Sequence, residues 1–332
     1  MNRKCQNTHR LLTGLLLTIC CGFSTQAHAA APYDNPDTIV VARDGTGQFR
    51  NIDEAIEVCR AFMDYHKVIF VRRGTYKEKL IIPQWLQNIE ICGEDRDETI
   101  ITWDDHANIK TEERPGGIGT FRTFTLKIQG SDITLKNITI ENNAARLGQA
   151  VALHTEGDRL TFVNCRFLGH QDTIYTGNAG SRHYFDHCYI EGTTDFIFGP
   201  ATAWFEQCHI YCKANSYITA ASTPADQPYG YIFNRCDVTT APDVNKLYLG
   251  RPWRDYGYTL FMNCSLPAAI RPEGWHRWEP QREKTARYME FDNSGPGADT
   301  SQRVSWSRQL TSKEAQQITL DNVFRRDDSW HP

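Results

Sequence analysis

The sequence predicts an all-β protein, a right-handed parallel β-helix (single-stranded solenoid) with short capping helices at its ends. Three observations lead there. Runs of alternating apolar residues, each the length of a strand with one buried face, recur through the middle of the chain. Each run carries a small apolar marker at the same place: Ile138, then Cys165, Cys188, Cys208, Cys236 and Cys264. The marker spacing of 27, 23, 20, 28 and 28 residues is irregular in the way loop insertions make it, and a repeat of strands without helices at this period reads as a β-solenoid.

Taken in order, the chain opens with a segment that does not belong to the fold. Arg3, Lys4 and Arg10 precede the apolar run Leu11 to Phe23, and Ala27-His28-Ala29 has the form of a cleavage site. Residues 1–29 are expected to be a signal peptide cut after Ala29, because the apolar run is too short to span a bilayer. A lipoprotein cut before Cys20 or Cys21 is disfavoured by the bulky Ile19. Residues 30–332 then form one domain. Asn51 with Glu54 opens an amphipathic stretch, Ile52 to Phe62, expected as the N-terminal helical cap. The strand runs follow: Ile133 to Ile140, Leu160 to Leu168, Tyr184 to Ile190, Trp204 to Ile210, Tyr231 to Val238 and Leu260 to Leu266. Thr311 with Glu314 opens a second helix near the C-terminus, expected to shield the last open coil.

Loss of the leader removes three basic residues and takes the formal charge from −4 to −7, the wrong sign for a nucleic-acid binder. No other stretch is apolar enough to cross a membrane. Eight cysteines remain. The five in register read as a ladder of small buried side chains. A disulfide between neighbouring coils, Cys188 with Cys208 above all, is the alternative in an oxidising compartment. A ladder along an axis does not converge on a tetrahedral point, so no metal is expected.

Several signals lose to plainer readings. Asp44-Gly45-Thr46-Gly47 lacks the third glycine of a nucleotide fingerprint and reads as a tight turn. His183 and His187 lie in a strand pattern and lack the glutamate of a zinc-protease motif. The triplets Asn137-Ile138-Thr139 and Asn263-Cys264-Ser265 fall within strand runs, where a glycan would not fit. There is no Gly-x-Ser-x-Gly elbow.

The chemistry lies in two aspartates. Asp172 and Asp195 each stand seven residues after a marker cysteine, Cys165 and Cys188. On successive coils they would be one strand spacing apart, about 4.8 Å. Two carboxylates so close cannot both ionise cheaply, which yields an acid and an anion in one site. That pair suits a retaining glycosidase or an acyl transfer with an aspartate nucleophile. Gln171 directly precedes Asp172, and Gln149 lies 22 residues earlier, about one coil away. Neutral amide donors favour a developing oxyanion over an oxocarbenium ion, so ester chemistry is preferred. In Leu249-Gly250-Arg251-Pro252-Trp253, Arg251 can hold Asp195 by two hydrogen bonds and Trp253 offers a flat platform for a sugar ring.

With these residues in view, the chain resembles the pectin methylesterases (pectinesterases, carbohydrate esterase family 8) over nearly all of residues 30–332. The matching blocks are Gly74-Thr75-Tyr76-Lys77-Glu78, Gln149 to Leu153, Gln171 to Tyr175, Asp195 to Gly199 and Leu249 to Trp253. Ile174 departs from the leucine many members carry there. The resemblance implies hydrolysis of the C6 methyl esters of polygalacturonate without metal or other cofactor, with the polysaccharide pectin as partner; a monomer is expected, and the leader sends it out of the cytoplasm as a secreted protein, extracellular or periplasmic. It also implies roles: Asp195 as nucleophile, Asp172 as general acid and then base, Gln149 and Gln171 as the oxyanion hole, Arg251 as the anchor of Asp195, and Tyr175, Phe198 and Trp253 along the sugar cleft. The Asn-Thr-Asp, Gly-His-Gly and Arg-Ile-Lys blocks of polygalacturonases are absent, as is the acidic calcium cluster of pectate lyases.

Overall fold

A computed structural model describes residues 31–328 and 330–332. The expected signal peptide, residues 1–29, lies outside the described residues. Among the described residues, three parallel sheets form the solenoid, one of eleven strands and two of seven, and each coil of the central body gives one strand to each. The long sheet holds Leu160–Val163, Arg182–Asp186, Thr202–Glu206 and Tyr231–Asn234 on successive coils. A second sheet, which carries the candidate site on its outer side, includes Leu153–Thr155, Ile174–Thr176, Ile197–Gly199 and Tyr217–Ala221.

Five of the six predicted runs prove to be two strands joined by a sharp corner; the last, Leu260 to Leu266, is one strand, Tyr258–Met262, followed beyond the corner by an isolated bridge at Ser265. Ile133 to Ile140, for example, divides into Ile133–Lys136 and Thr139–Asn142. The residue before every marker takes the left-handed conformation: Asn137, Asn164, His187, Gln207, Arg235 and Asn263 have φ between 49° and 57°. Asparagine tolerates this region through local hydrogen bonding, and Asn164 donates to the Asn137 side-chain oxygen on the coil below at 2.8 Å. Alternation alone hides such a corner, because one left-handed residue turns the chain while leaving the next apolar side chain inward. The glycosylation triplets therefore sit at corners rather than in strands, and Asn263 is exposed.

Exact register stacks like on like. Phe162, Phe185, Phe205, Phe233 and Phe261 form one interior column with ring centroids 4.3–4.6 Å apart. The marker cysteines form another, all buried and unpaired. Each thiol donates to a carbonyl of the preceding coil, as Cys208 does to Phe185 at 3.5 Å. Cys188 and Cys208 are both free thiols, so the ladder reading describes the structure and the disulfide alternative does not.

The ends differ from expectation. The first helix covers only Ile52–Glu57 and stops well before Phe62, which is left-handed (φ 54°) and exposed. Asn51 makes no backbone cap; the Glu78 carboxylate accepts the N–H groups of Ile52 and Asp53 at 3.0 Å instead. Thr311 and Glu314 do form the reciprocal capping box. Yet that helix, Ser312–Ala315, and the following Leu320–Phe324 do not cover the last coil. Val323 and Phe324 pack on Trp204, Ile232, Leu260 and Met289, the outward side chains of the long sheet. Trp275 and Tyr288, with Trp306 beside them, fill the final coil. The tail is held by Arg182, a buried side chain that bonds Asp158, the Phe324 carbonyl and Asp328.

Candidate active site

Asp172 and Asp195 each precede a strand of the second sheet by two residues, and those strands pair Ile174 with Ile197 and Tyr175 with Phe198. The aspartates are thus in register on neighbouring coils. Both are left-handed (φ 67° and 49°), a conformation aspartate accepts more readily than most residues, which turns the carboxylates outward at the foot of the strand. The Asp172 N–H donates to the Thr194 carbonyl and that of Asp195 to the Tyr217 carbonyl, tying both bends to the next coil. The two residues are almost fully buried, 8% and 5% exposed, so each carboxylate has little water to stabilise its charge.

The pair is asymmetric. Arg251 grips Asp195 with two hydrogen bonds, Nε to Oδ1 at 3.0 Å and Nη2 to Oδ2 at 2.6 Å. Burial raises the Asp195 pKa above the usual carboxylate value, and Arg251 opposes that rise. Asp172 has no such partner. Burial pushes its pKa well up, the charge of Asp195 pushes it further, and Arg251 offsets this only in part. The arrangement favours the shared proton on Asp172 and the negative charge on Asp195.

A cleft of about 270 Å³ opens over the pair, lined by Gln149, Gln171, Asp172, Asp195, Phe198, Arg251 and Trp253, with Thr120, Phe121, Ala220 and Trp278. The Ala150 N–H donates to the Gln171 carbonyl at 3.0 Å, which sets the two glutamine-bearing segments side by side. Seven of the eight residues singled out from sequence meet in this cleft. Tyr175 lies outside its lining, on the coil of Asp172, with its ring 5.0 Å from Phe198 of the next coil. His183 is buried against the Gly157 carbonyl and His187 lies exposed at a corner beside Asp186, so they form no site.

Sequence reasoning missed Phe121, Trp278 and Tyr217. The Arg251 guanidinium lies between the Tyr217 ring at 3.9 Å and the Trp278 ring at 3.7 Å, and Phe121 packs edge-on against Tyr175 at 4.9 Å. Tyr217 had a signal: it stands 22 residues after Asp195, as Gln149 stands 22 before Gln171. Phe121 and Trp278 come from long insertions whose path no repeat reveals.

Fold and site together define a class, a β-helical hydrolase with a buried acid pair on its flank. Such proteins are what the chain is similar to. Residues 38–327 match the pectinesterase family. Pectinesterase 31 of Arabidopsis thaliana is 38% identical over 282 residues, 83% of this chain and 88% of that protein. Pectinesterase 3 of Phaseolus vulgaris is 34% identical over 90% of this chain but only 52% of its own length; the chain spans about half of such longer relatives. Among solved structures, the pectin methylesterase from carrot superposes with a TM-score of 0.80 at 32% identity, covering 87% of this chain and 93% of that one. The enzyme from Erwinia chrysanthemi gives 0.77 at 26% identity, covering 90% and 98%. The chain belongs to the pectinesterase family and is a carboxylic ester hydrolase.

Proposed function

We propose that this chain hydrolyses the C6 methyl esters of methylated homogalacturonan, giving galacturonate and methanol, with Asp195 as nucleophile and Asp172 as acid and base. The observation that carries the assignment of roles is the asymmetry of the pair: Arg251 clamps Asp195, while Asp172 stands unclamped beside its charge. An Asp195 oxygen attacks the ester carbonyl, and the negative oxygen that forms is stabilised by the side-chain amides of Gln149 and Gln171. Collapse breaks the C6–OCH3 bond, and the Asp172 proton goes to the departing methoxide, giving methanol and an acyl-enzyme joined through Asp195. Asp172, now anionic, takes a proton from water as that water attacks C6. The acyl bond breaks, Asp195 leaves as carboxylate, and both groups return to their starting states. Phe198 and Trp253 flank the reacting sugar and Tyr175 the next one along the chain.

Solved pectin methylesterases in complex with hexasaccharides support an oligosaccharide as the kind of ligand this chain takes. The leader expected at residues 1–29 would place the enzyme outside the cytoplasm, with Ala30 as the mature N-terminus, which mass spectrometry of the secreted protein checks. The decisive experiment mixes the purified protein with highly methylated pectin and follows methanol and chain length together. Methanol without chain shortening, lost in Asp195→Ala, is the expected result. Shortened chains would make the pair glycosidic, and no methanol would overturn the esterase assignment.

A further inference from the structure

We infer that Arg282, remote from the acid pair in sequence and outside the five blocks that carry the family resemblance, is the positioning residue that sets the tryptophan wall of the cleft. The inference rests on the esterase reading above. Trp253 and Trp278 line the cleft from different loops, and neither loop has regular structure to hold it. Arg282 joins them. It opens a short 3-10 turn, Arg282–Lys284, at the end of the loop that carries Trp278. Its Nη1 donates to the carbonyls of Pro252 at 3.0 Å and Trp253 at 2.6 Å. Its Nη2 donates to the Glu279 carboxylate at 2.7 Å, and the guanidinium lies 5.8 Å from the Trp278 ring.

The side chain is only 14% exposed, so these contacts replace water rather than compete with it. A guanidinium is the group suited to this task, because its planar fork reaches two carbonyls and a carboxylate in fixed directions, whereas an ammonium is a point charge on a flexible stem. Trp278 in turn covers Arg251, which holds Asp195. Arg282 touches neither the acid pair nor the reacting ester. Its effect must therefore appear first in sugar binding, through the placement of both indoles.

Arg282→Ala tests this with two independent readouts. Hydrogen exchange followed by mass spectrometry is expected to quicken in peptides covering residues 251–257 and 276–285 and to stay unchanged along the strands. On methylated homogalacturonan, KM is expected to rise about tenfold with kcat within about twofold, the signature of lost binding rather than lost chemistry. Arg282→Lys, which keeps the charge but not the fork, is expected to fall between wild type and Arg282→Ala. Unchanged local exchange would overturn the inference whatever the kinetics, and so would quickened exchange with unchanged KM. Uniform quickening across the solenoid would reduce Arg282 to a stabilising residue. A wild type that releases no methanol would overturn the esterase reading, and the exchange data alone would then decide whether Arg282 positions the wall.

Discussion

Asp172 and Asp195 are the same side chain made different by one neighbour. Arg251 stands by Asp195, so an acid limb in the rate is expected where Asp195 takes up its proton, and a basic limb where Asp172 loses its own. The rate should already have fallen at about pH 3, below the ordinary aspartate value; a flat profile to that point would refute the assignment. Arg251→Ala removes the charge that opposes the rise in the Asp195 pKa, so the acid limb should move to higher pH as kcat drops by roughly a hundredfold. Asp172→Asn should cost about 10² to 10⁴ in kcat yet raise the melting temperature at pH 7. The sign follows from linkage. A carboxyl whose folded pKa is raised binds more protons folded than unfolded, so its ionisation destabilises the fold as pH climbs through that folded pKa. An amide cannot ionise and escapes the cost. A lower melting temperature for Asp172→Asn would show that the buried acid is not strained.

At the scale of the element, a coil must fit its neighbours at one strand spacing, and two kinds of residue secure that fit. The phenylalanine column does so by shape. Phe205→Ala would leave a hole between Phe185 and Phe233 and should destabilise by about 3–5 kcal/mol, read from chemical denaturation. Gly199 does so by absence: its φ is 129°, and a Cβ there would lie 2.2 Å from the Thr176 carbonyl oxygen of the coil below. Gly199→Ala should therefore cost at least about 2 kcal/mol. It should also weaken activity, because Gly199 ends the strand that begins two residues after Asp195.

Over the whole molecule, the C-terminal tail determines how the long sheet meets solvent. Its helices cover the outward side chains Trp204, Ile232 and Leu260, which a bare solenoid would expose. Arg182 fixes the tail to the coils that carry the acid pair, and it is buried between Asp158 and Asp328. Removing the cation would leave carboxylates facing each other, so Arg182→Ala should destabilise by about 3–5 kcal/mol. Hydrogen bonding and charge from Arg182 hold the pKa of both aspartates below the ordinary value, more strongly for Asp328. Stability from this cluster is thus present above the unfolded aspartate pKa and lost as pH falls through the folded values. Denaturation of wild type and Arg182→Ala should accordingly converge in strong acid.

The β-helix, the placement of Asp172 beside Asp195 and the clamp by Arg251 were all legible in the sequence. The first two follow from a repeat: in a parallel solenoid, equal distance along the chain becomes adjacency in space, so residues seven after successive markers must meet; Arg251 was read from its own Leu-Gly-Arg-Pro-Trp block. What the sequence could not reveal lies where that rule lapses. The corner before each marker is one residue long and leaves the alternation intact. The first helix takes its N-terminal cap from Glu78, more than twenty residues away, and the last helices lie on the side of the solenoid because the sheet there has apolar residues facing out. Phe121 and Trp278 reach the cleft, and Arg282 the loops behind it, from outside the repeat, and their positions follow only from long-range contacts. Local pattern determined the scaffold, the acid pair and the motif residues beside it; tertiary packing alone decided which further loop residues enclose the cleft, because loops are placed by what they touch and not by how far along the chain they lie.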